Sequence, residues 1–205
     1  MASFVIEDQY GNYMIAGADE VGRGSWVGPI VAGAVIINRK YDCSQFNDSK
    51  TLTKSNLCKF SKQIFTDHVC GIGVVDIAEI NQLNINVATG IAMTRAIANL
   101  PANPTMILVD GNIKLPTDIQ TQNVIKGDSI SVSIAAASII AKVYRDEYMT
   151  RLALDFPEYF WQQNVGYGTE QHSEQIAKHG VSMHHRINYK PIKKFLEQGA
   201  LHDNK

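Results

Sequence analysis

Short, densely apolar runs alternate along the chain with longer stretches in which apolar residues recur every three or four positions. "YMIAGAD" (Tyr13–Asp19) and "PIVAGAVII" (Pro29–Ile37) have the length and composition of buried strands. Pro29 stands at a strand start, where its missing N–H is tolerated. "CGIGVVD" (Cys70–Asp76) and "TMILVDG" (Thr105–Gly111) repeat the pattern, the second halting at an acid and a glycine. Leu57, Phe60, Ile64 and Phe65 fall at helical spacing and predict a helix over 54–67. A second helix is predicted over Asn86–Asn99, ended by "LPANP". Beyond "TQNVIKGD" a long helix begins at Ser131 or Ser133 and runs toward Leu154, stopped by Pro157. Its opening, "SVSIAAASIIAKV", is so rich in small residues that it must lie close against a neighbour. Short helices and loops follow, with "GYGT" placing Thr169 as an N-cap.

This order predicts an α/β fold whose mixed sheet opens with antiparallel strands and continues with parallel crossovers, flanked by helices. Residues 1–155 form the expected catalytic domain, and 156–205 a small C-terminal helical appendage expected to bind substrate. In open α/β sheets, sites form at the carboxyl ends of strands. Asp19 and Asp110 each close an apolar strand, with glycine close behind.

Composition narrows the function classes. The 205 residues are 45% hydrophobic and 19% charged, an ordinary globular balance, and the net charge of −1 supplies no global field for a polyanion or an anionic membrane. Any polyanion site must be a local patch. One candidate holds Lys178, Arg186, Lys190, Lys193 and Lys194 against the single acid Glu174, with His172, His179, His184 and His185 as further donors, although for a charge run alone a solvated helical face is the favoured reading. Cys43, Cys58 and Cys70 are odd in number and lack CxxC spacing, so they read as reduced thiols rather than a disulfide frame or a zinc site. The N-terminal residues carry acids where a signal peptide needs bases, and the largely apolar Ile134–Ala141 is far short of the roughly 20 residues of a membrane span. A cytoplasmic monomer with no membrane partner is the default expectation.

The acids carry the chemistry. Asp19, Glu20, Asp110 and Asp128 lie at or near strand ends and the start of the long helix. Gathered carboxylates repel, and burying them unpaired is costly. A divalent cation removes the difficulty, and oxygen ligands without His or Cys suit Mg²⁺ or Mn²⁺. Two such ions make a machine for phosphodiester cleavage. Asp76 and Asp118 read instead as cap or turn formers. Neighbouring strand residues face opposite sides, so Asp19 and Glu20 are expected to share a site only if the strand ends there, as Gly22 and Gly24 suggest. Two rivals remain open on the residues alone: a nucleotide-binding module built on "GRGSWVG", although a strand rather than a helix follows it, and a metal-free nucleic-acid binder.

"GADEVGRGSWVGPIVAGAVI" resembles the opening signature of the type 2 ribonucleases H, specifically bacterial ribonuclease HII. "NDSKTLT", "LVDG", "KGDSISVSIAAASIIAKVYRD" and "GYGT" followed by His172 match in family order, from about Tyr13 to Tyr189. The resemblance implies a ribonuclease H-like fold and a two-metal site of Mn²⁺ or Mg²⁺. It also implies endonucleolytic cleavage of the RNA strand of RNA/DNA hybrids and at ribonucleotides embedded in duplex DNA, leaving 3′-hydroxyl and 5′-phosphate ends. By position it makes Asp19, Glu20, Asp110 and Asp128 the catalytic, metal-holding acids, and Gly22, Arg23 and Gly24 the loop whose backbone senses a ribose 2′-hydroxyl. Tyr167 falls where the family packs a tyrosine on the following sugar, and Lys50, Ser138 and Lys142 where it places polar groups near substrate phosphates. The chain departs from the family at Ser25-Trp26-Val27, where Pro-Leu-Ala is usual, so Trp26 is expected to repack the loop. "HHRINYK" likewise replaces a "HRxSF" pattern.

Overall fold

A computed structural model of the chain describes residues 2–46 and 52–199. Five strands form one mixed sheet: β1 (Ile15–Val21), β2 (Ile30–Ile36), β3 (Val69–Val75), β4 (Met106–Asp110) and β5 (Gln120–Val124). Their order across the sheet is β3-β2-β1-β4-β5. β2 pairs antiparallel with both β1 and β3, whereas β4 pairs parallel with β1 and β5. The helices are α1 (Lys54–Asp67), α2 (Ile77–Ile80), α3 (Ile85–Ala98), α4 (Val132–Asp155), α5 (Trp161–Asn164), α6 (Glu170–His179) and α7 (Lys190–Glu197).

The sheet is covered on both faces because its inner strands are apolar on both. Ala16, Ala18, Ile30, Ala32 and Ala34 pack on one side against Ala88, Ala92, Met93 and Ala96 of α3. Val35 belongs to the other side, where α1 contributes Leu57, Phe60 and Ile64, and α4 contributes Ala135, Ala136, Ile139 and Ile140. The small residues at the start of α4 do lie against a neighbour. A Cβ on Gly17 of β1 would fall 2.2 Å from the Ser133 backbone, and one on Gly33 of β2 would fall 2.4 Å from the Ala137 carbonyl oxygen. Helix backbone rests directly on sheet backbone along this seam.

Local signals hold at several ends. Thr53, Ser131 and Thr169 cap α1, α4 and α6 by accepting backbone N–H groups, and Asp76 forms a reciprocal capping box with Glu79. The polar edge strand β5 has no counterpart in the apolar pattern, since Gln120, Thr121 and Asn123 are exposed and only Val124 is buried. Beyond Phe156, residues of α5, α6 and α7 pack with Val27, Met149 and Ala153 around the fully buried Trp161. This appendage therefore sits on the outer end of α4 and on the loop between β1 and β2. No described helix is long and apolar enough to cross a membrane.

Candidate active site

The ladder between β1 and β4 closes at the pair Ala18↔Val109. One residue further on, each strand presents an acid. Asp19 is buried on the face that carries α4, opposite Gly33 of β2. Its Oδ1 accepts the Glu20 N–H at 2.7 Å, and Ser138 of α4 hydrogen-bonds the same carboxyl group. The Asp110 Oδ1 accepts the Gly127 N–H at 2.6 Å. One oxygen from each of Asp19, Glu20 and Asp110 lies within 4.8 Å of the others.

β1 runs on to Val21, so the strand does not end at Asp19 as the sequence suggested. The two acids meet for a different reason. Past Ala18 there is no β4 partner beside β1, and side chains from both faces reach around that open flank. Burial foremost, then the charges of Glu20 and Asp110, holds the Asp19 carboxyl well above the usual carboxylate range, against the hydrogen bonds from Ser138 and the Glu20 backbone. A half-buried cluster of oxygen donors that resists its own ionisation is the donor set a hard divalent cation fits.

Asp128 is placed differently. It is buried in the 3₁₀ turn Gly127–Ser129, whose Gly127 holds Asp110, and it is not one of the three acids whose oxygens converge. Asp19, Glu20 and Asp110 instead share a cleft of about 450 Å³ with Gly22, Arg23, Gly24, Ser138, Lys142 and Tyr167. Lys142 is half-buried and pairs with Asp146 one turn along α4, at 2.7 Å. The Arg23 guanidinium donates to Asn86 Oδ1 at the start of α3, at 2.5 Å. Lys50 lies outside the described residues. Tyr167 is half-buried on its turn, with the Arg145 guanidinium carbon 5.4 Å from its ring centre.

The basic run after Gln171 divides. Lys178, Lys190, Lys193 and Lys194 are exposed, but Arg186, His172 and His185 are fully buried and cannot serve as surface donors. Trp161 Nε1–H donates to His172 Nε2 at 3.1 Å, leaving His172 Nδ1–H to donate to the Tyr167 carbonyl at 2.9 Å. His185 Nδ1 accepts the Ser182 N–H at 3.0 Å, which puts its proton on Nε2, 3.3 Å from His172 Nε2. Both rings are therefore neutral and fully used. Burial first, then His172, pushes His185 down to about 3.

Arg145, fully buried, is the residue that sequence reasoning missed, while Arg186, equally buried, was read as a surface donor. A signal existed for the first. It stands four residues from both Ala141 and Met149 on the buried stripe of α4, where a cation is out of place. Trp26 lies against His172 at 5.5 Å between ring centres and fills the space beside Gly168.

Known proteins resemble the chain along most of its length. The family profile for ribonuclease HII matches residues 16–192. The ribonuclease HII of Rickettsia typhi (strain ATCC VR-144 / Wilmington) is 47% identical over 184 residues, which are 90% of this chain and 95% of that protein. Among solved structures, ribonuclease H2 from Pyrococcus horikoshii OT3 superposes with a TM-score of 0.76 at 25% identity, covering 90% of this chain and 97% of the other. Bst-RNase HIII in complex with Mn²⁺ shares the fold, with a TM-score of 0.73 at 22% identity over 93% of this chain and 71% of the other.

Proposed function

This chain belongs to the ribonuclease HII family, and on that footing we propose that it is a divalent-metal-dependent endonuclease that cuts the RNA strand of RNA/DNA hybrids and single ribonucleotides embedded in duplex DNA, leaving 3′-hydroxyl and 5′-phosphate ends. The observation that carries the proposal is the meeting of Asp19, Glu20 and Asp110 within 4.8 Å, in one cleft with the Gly22–Gly24 loop and Tyr167.

Asp19, Glu20 and Asp110 would hold Mn²⁺ or Mg²⁺, two ions when substrate is bound, with Asp128 joining from the turn behind Asp110. A cation there supplies the positive charge that stabilises a phosphodiester as negative charge develops on it. The remaining work falls to the chain. RNA differs from DNA at the 2′-hydroxyl, so a nuclease that tolerates DNA around its cut must read that group. Gly22, with φ of +88°, and Gly24 let backbone approach a sugar as no side-chain-bearing residue would. The Tyr167 ring lines the same cleft and offers a stacking face to the sugar that follows. Ser138 and Lys142, which line the cleft, would meet the substrate phosphates, and the family resemblance assigns Lys50 the same task.

An end-labelled duplex containing one ribonucleotide, and a long hybrid, test the proposal directly. Mn²⁺ or Mg²⁺ supports cutting of both and excess EDTA abolishes it; full activity in EDTA would refute metal dependence. Cleavage restricted to the long hybrid would remove the embedded-ribonucleotide activity from the proposal.

A further inference from the structure

Two short loops face the cleft, and they are welded together. The Trp26 N–H donates to the Gly166 carbonyl at 2.8 Å, and the Val27 N–H reaches the same oxygen at 3.3 Å. Ser25 Oγ, fully buried, hydrogen-bonds Gly166 O at 2.8 Å and Val27 O at 2.9 Å. Arg145 runs beneath this weld. Its Nη2 donates to Ser25 Oγ at 2.7 Å and Val27 O at 3.0 Å, its Nε to Pro29 O at 3.1 Å, and its Nη1 to Val165 O at 3.0 Å. A Cβ on Gly22 would lie 2.2 Å from Arg145 Nε, so the guanidinium packs directly against the first glycine of the loop.

Every one of these hydrogen-bond partners is a neutral oxygen, which makes the burial costly as a device for stability alone. What the arrangement gives is position. A loop with positive φ at Gly22 and Gly28 has little stiffness of its own. Four hydrogen bonds from one rigid plane, each to a carbonyl or hydroxyl of one loop or the other, remove that slack. We infer that Arg145 is a positioning residue that fastens the Gly22–Pro29 loop and the tyrosine loop around Gly166 into a single unit for reading the ribonucleotide and the sugar after it. The inference rests on the proposed function, since it assigns the rigidity of that same site. Arg145 touches no reacting atom in this role. It acts through Gly22 on one side and, through Val165, on the turn that carries Tyr167.

Arginine is required by the geometry. A lysine at 145 keeps the charge and most of the stem but presents three donors from one point, which cannot serve two loops at once. The test compares wild type, Arg145→Lys, Tyr167→Ala and the double variant with Mn²⁺ on a duplex carrying one ribonucleotide, measuring kcat and KM well below the Tm of each. Arg145→Lys is expected to lose about tenfold or more in kcat/KM, because small misplacements at a reading site are expensive. Tyr167→Ala is then expected to cost far less in the Arg145→Lys background than in wild type, since residues acting as one unit are not additive. Additive losses, or a wild-type kcat/KM in Arg145→Lys, would overturn the inference, whatever happens to Tm. Should Arg145→Lys fail to fold, Ser25→Ala removes the hydroxyl that joins the guanidinium to Gly166 without moving a charge, and the same non-additivity with Tyr167→Ala is expected. A wild-type chain that cuts neither duplex nor hybrid would refute the proposed function instead. The weld is then read by amide exchange at Trp26 and Val27, which speeds up in Arg145→Lys if the staple is real and stays unchanged if it is not.

Discussion

At Asp19, burial and charge pull in opposite directions. The carboxyl group is held above its usual range by desolvation and by Glu20 and Asp110, yet it is tied in place by Ser138 and the Glu20 amide. Such a group is poorly suited to the empty state and well suited to a cation. Asp19→Asn and Asp110→Asn should each lower turnover by at least about a hundredfold, because each removes a charged oxygen from a site that stabilises transition-state charge. Near-normal turnover in either variant would mean that other acids do the work. Without metal, Asp19→Asn should melt higher than wild type, since it relieves repulsion among the three acids, and a lower Tm would contradict that account. Tyr167 raises a separate question, whether ring or hydroxyl matters. A stacked ring contributes about 1–3 kcal/mol by analogy with single-strand binding, so Tyr167→Ala should cut an embedded ribonucleotide slowly while folding normally. Tyr167→Phe should keep most of the activity if stacking dominates. An alanine variant that cuts at the wild-type rate would leave the Gly22–Gly24 loop as the sole reader.

Elements bring these residues together, and the decisive contact is the seam between α4 and the sheet. Gly17→Ala should destabilise the chain by about 1–3 kcal/mol or more, because its methyl group would meet the Ser133 backbone at 2.2 Å with no flexible side chain to give way. A urea titration checks this: the midpoint should fall while the slope stays constant. The seam was legible in sequence, since a run of small residues at a helix start has few other physical reasons. So were the inner strands β1, β2 and β4, which read as unbroken apolar runs because both faces are buried, and the edge strand β3, whose residues are apolar though only alternately buried. β5 was not, for the converse reason. It is an edge strand whose exposed Gln120, Thr121 and Asn123 look like loop residues until the β4 backbone pairs with them. The acids were legible as strand-end residues, but how Asp19 and Glu20 meet was not, because the open flank beyond Ala18 depends on where β4 stops. His172, His185 and Arg186 misled for a related reason. Charge composition reports residue type, and only packing reveals that a hydrogen-bonded histidine pair and a buried guanidinium belong to the interior.

Across the whole molecule, the same interior ties acidity to the site. His185 is pushed down to about 3 and His172 is lowered as well, both chiefly by burial, against an unfolded value near 6.5. Depressed values mean that the unfolded chain takes up protons first as pH falls. Their contribution is therefore complete above about pH 6.5 and drains away below it, for His185 down to about 3 at up to about 1.4 kcal/mol per pH unit. Trp161, bonded to His172, should report the loss as a fluorescence change in an acid titration, and His185→Gln should make that titration shallower. A stability flat from pH 7 to 4 would contradict the neutral pair. The other buried cation has a consequence for the order in which the protein comes into being. Arg186 donates to the carbonyls of Arg23, Gly28 and Pro29, residues made more than 150 positions earlier. A chain emerging from the ribosome thus exposes Asp19, Glu20 and Asp110 well before Arg186 arrives to secure the adjoining loop. A fragment that stops short of Arg186 would carry all three acids yet leave the carbonyls of Arg23, Gly28 and Pro29 without that guanidinium.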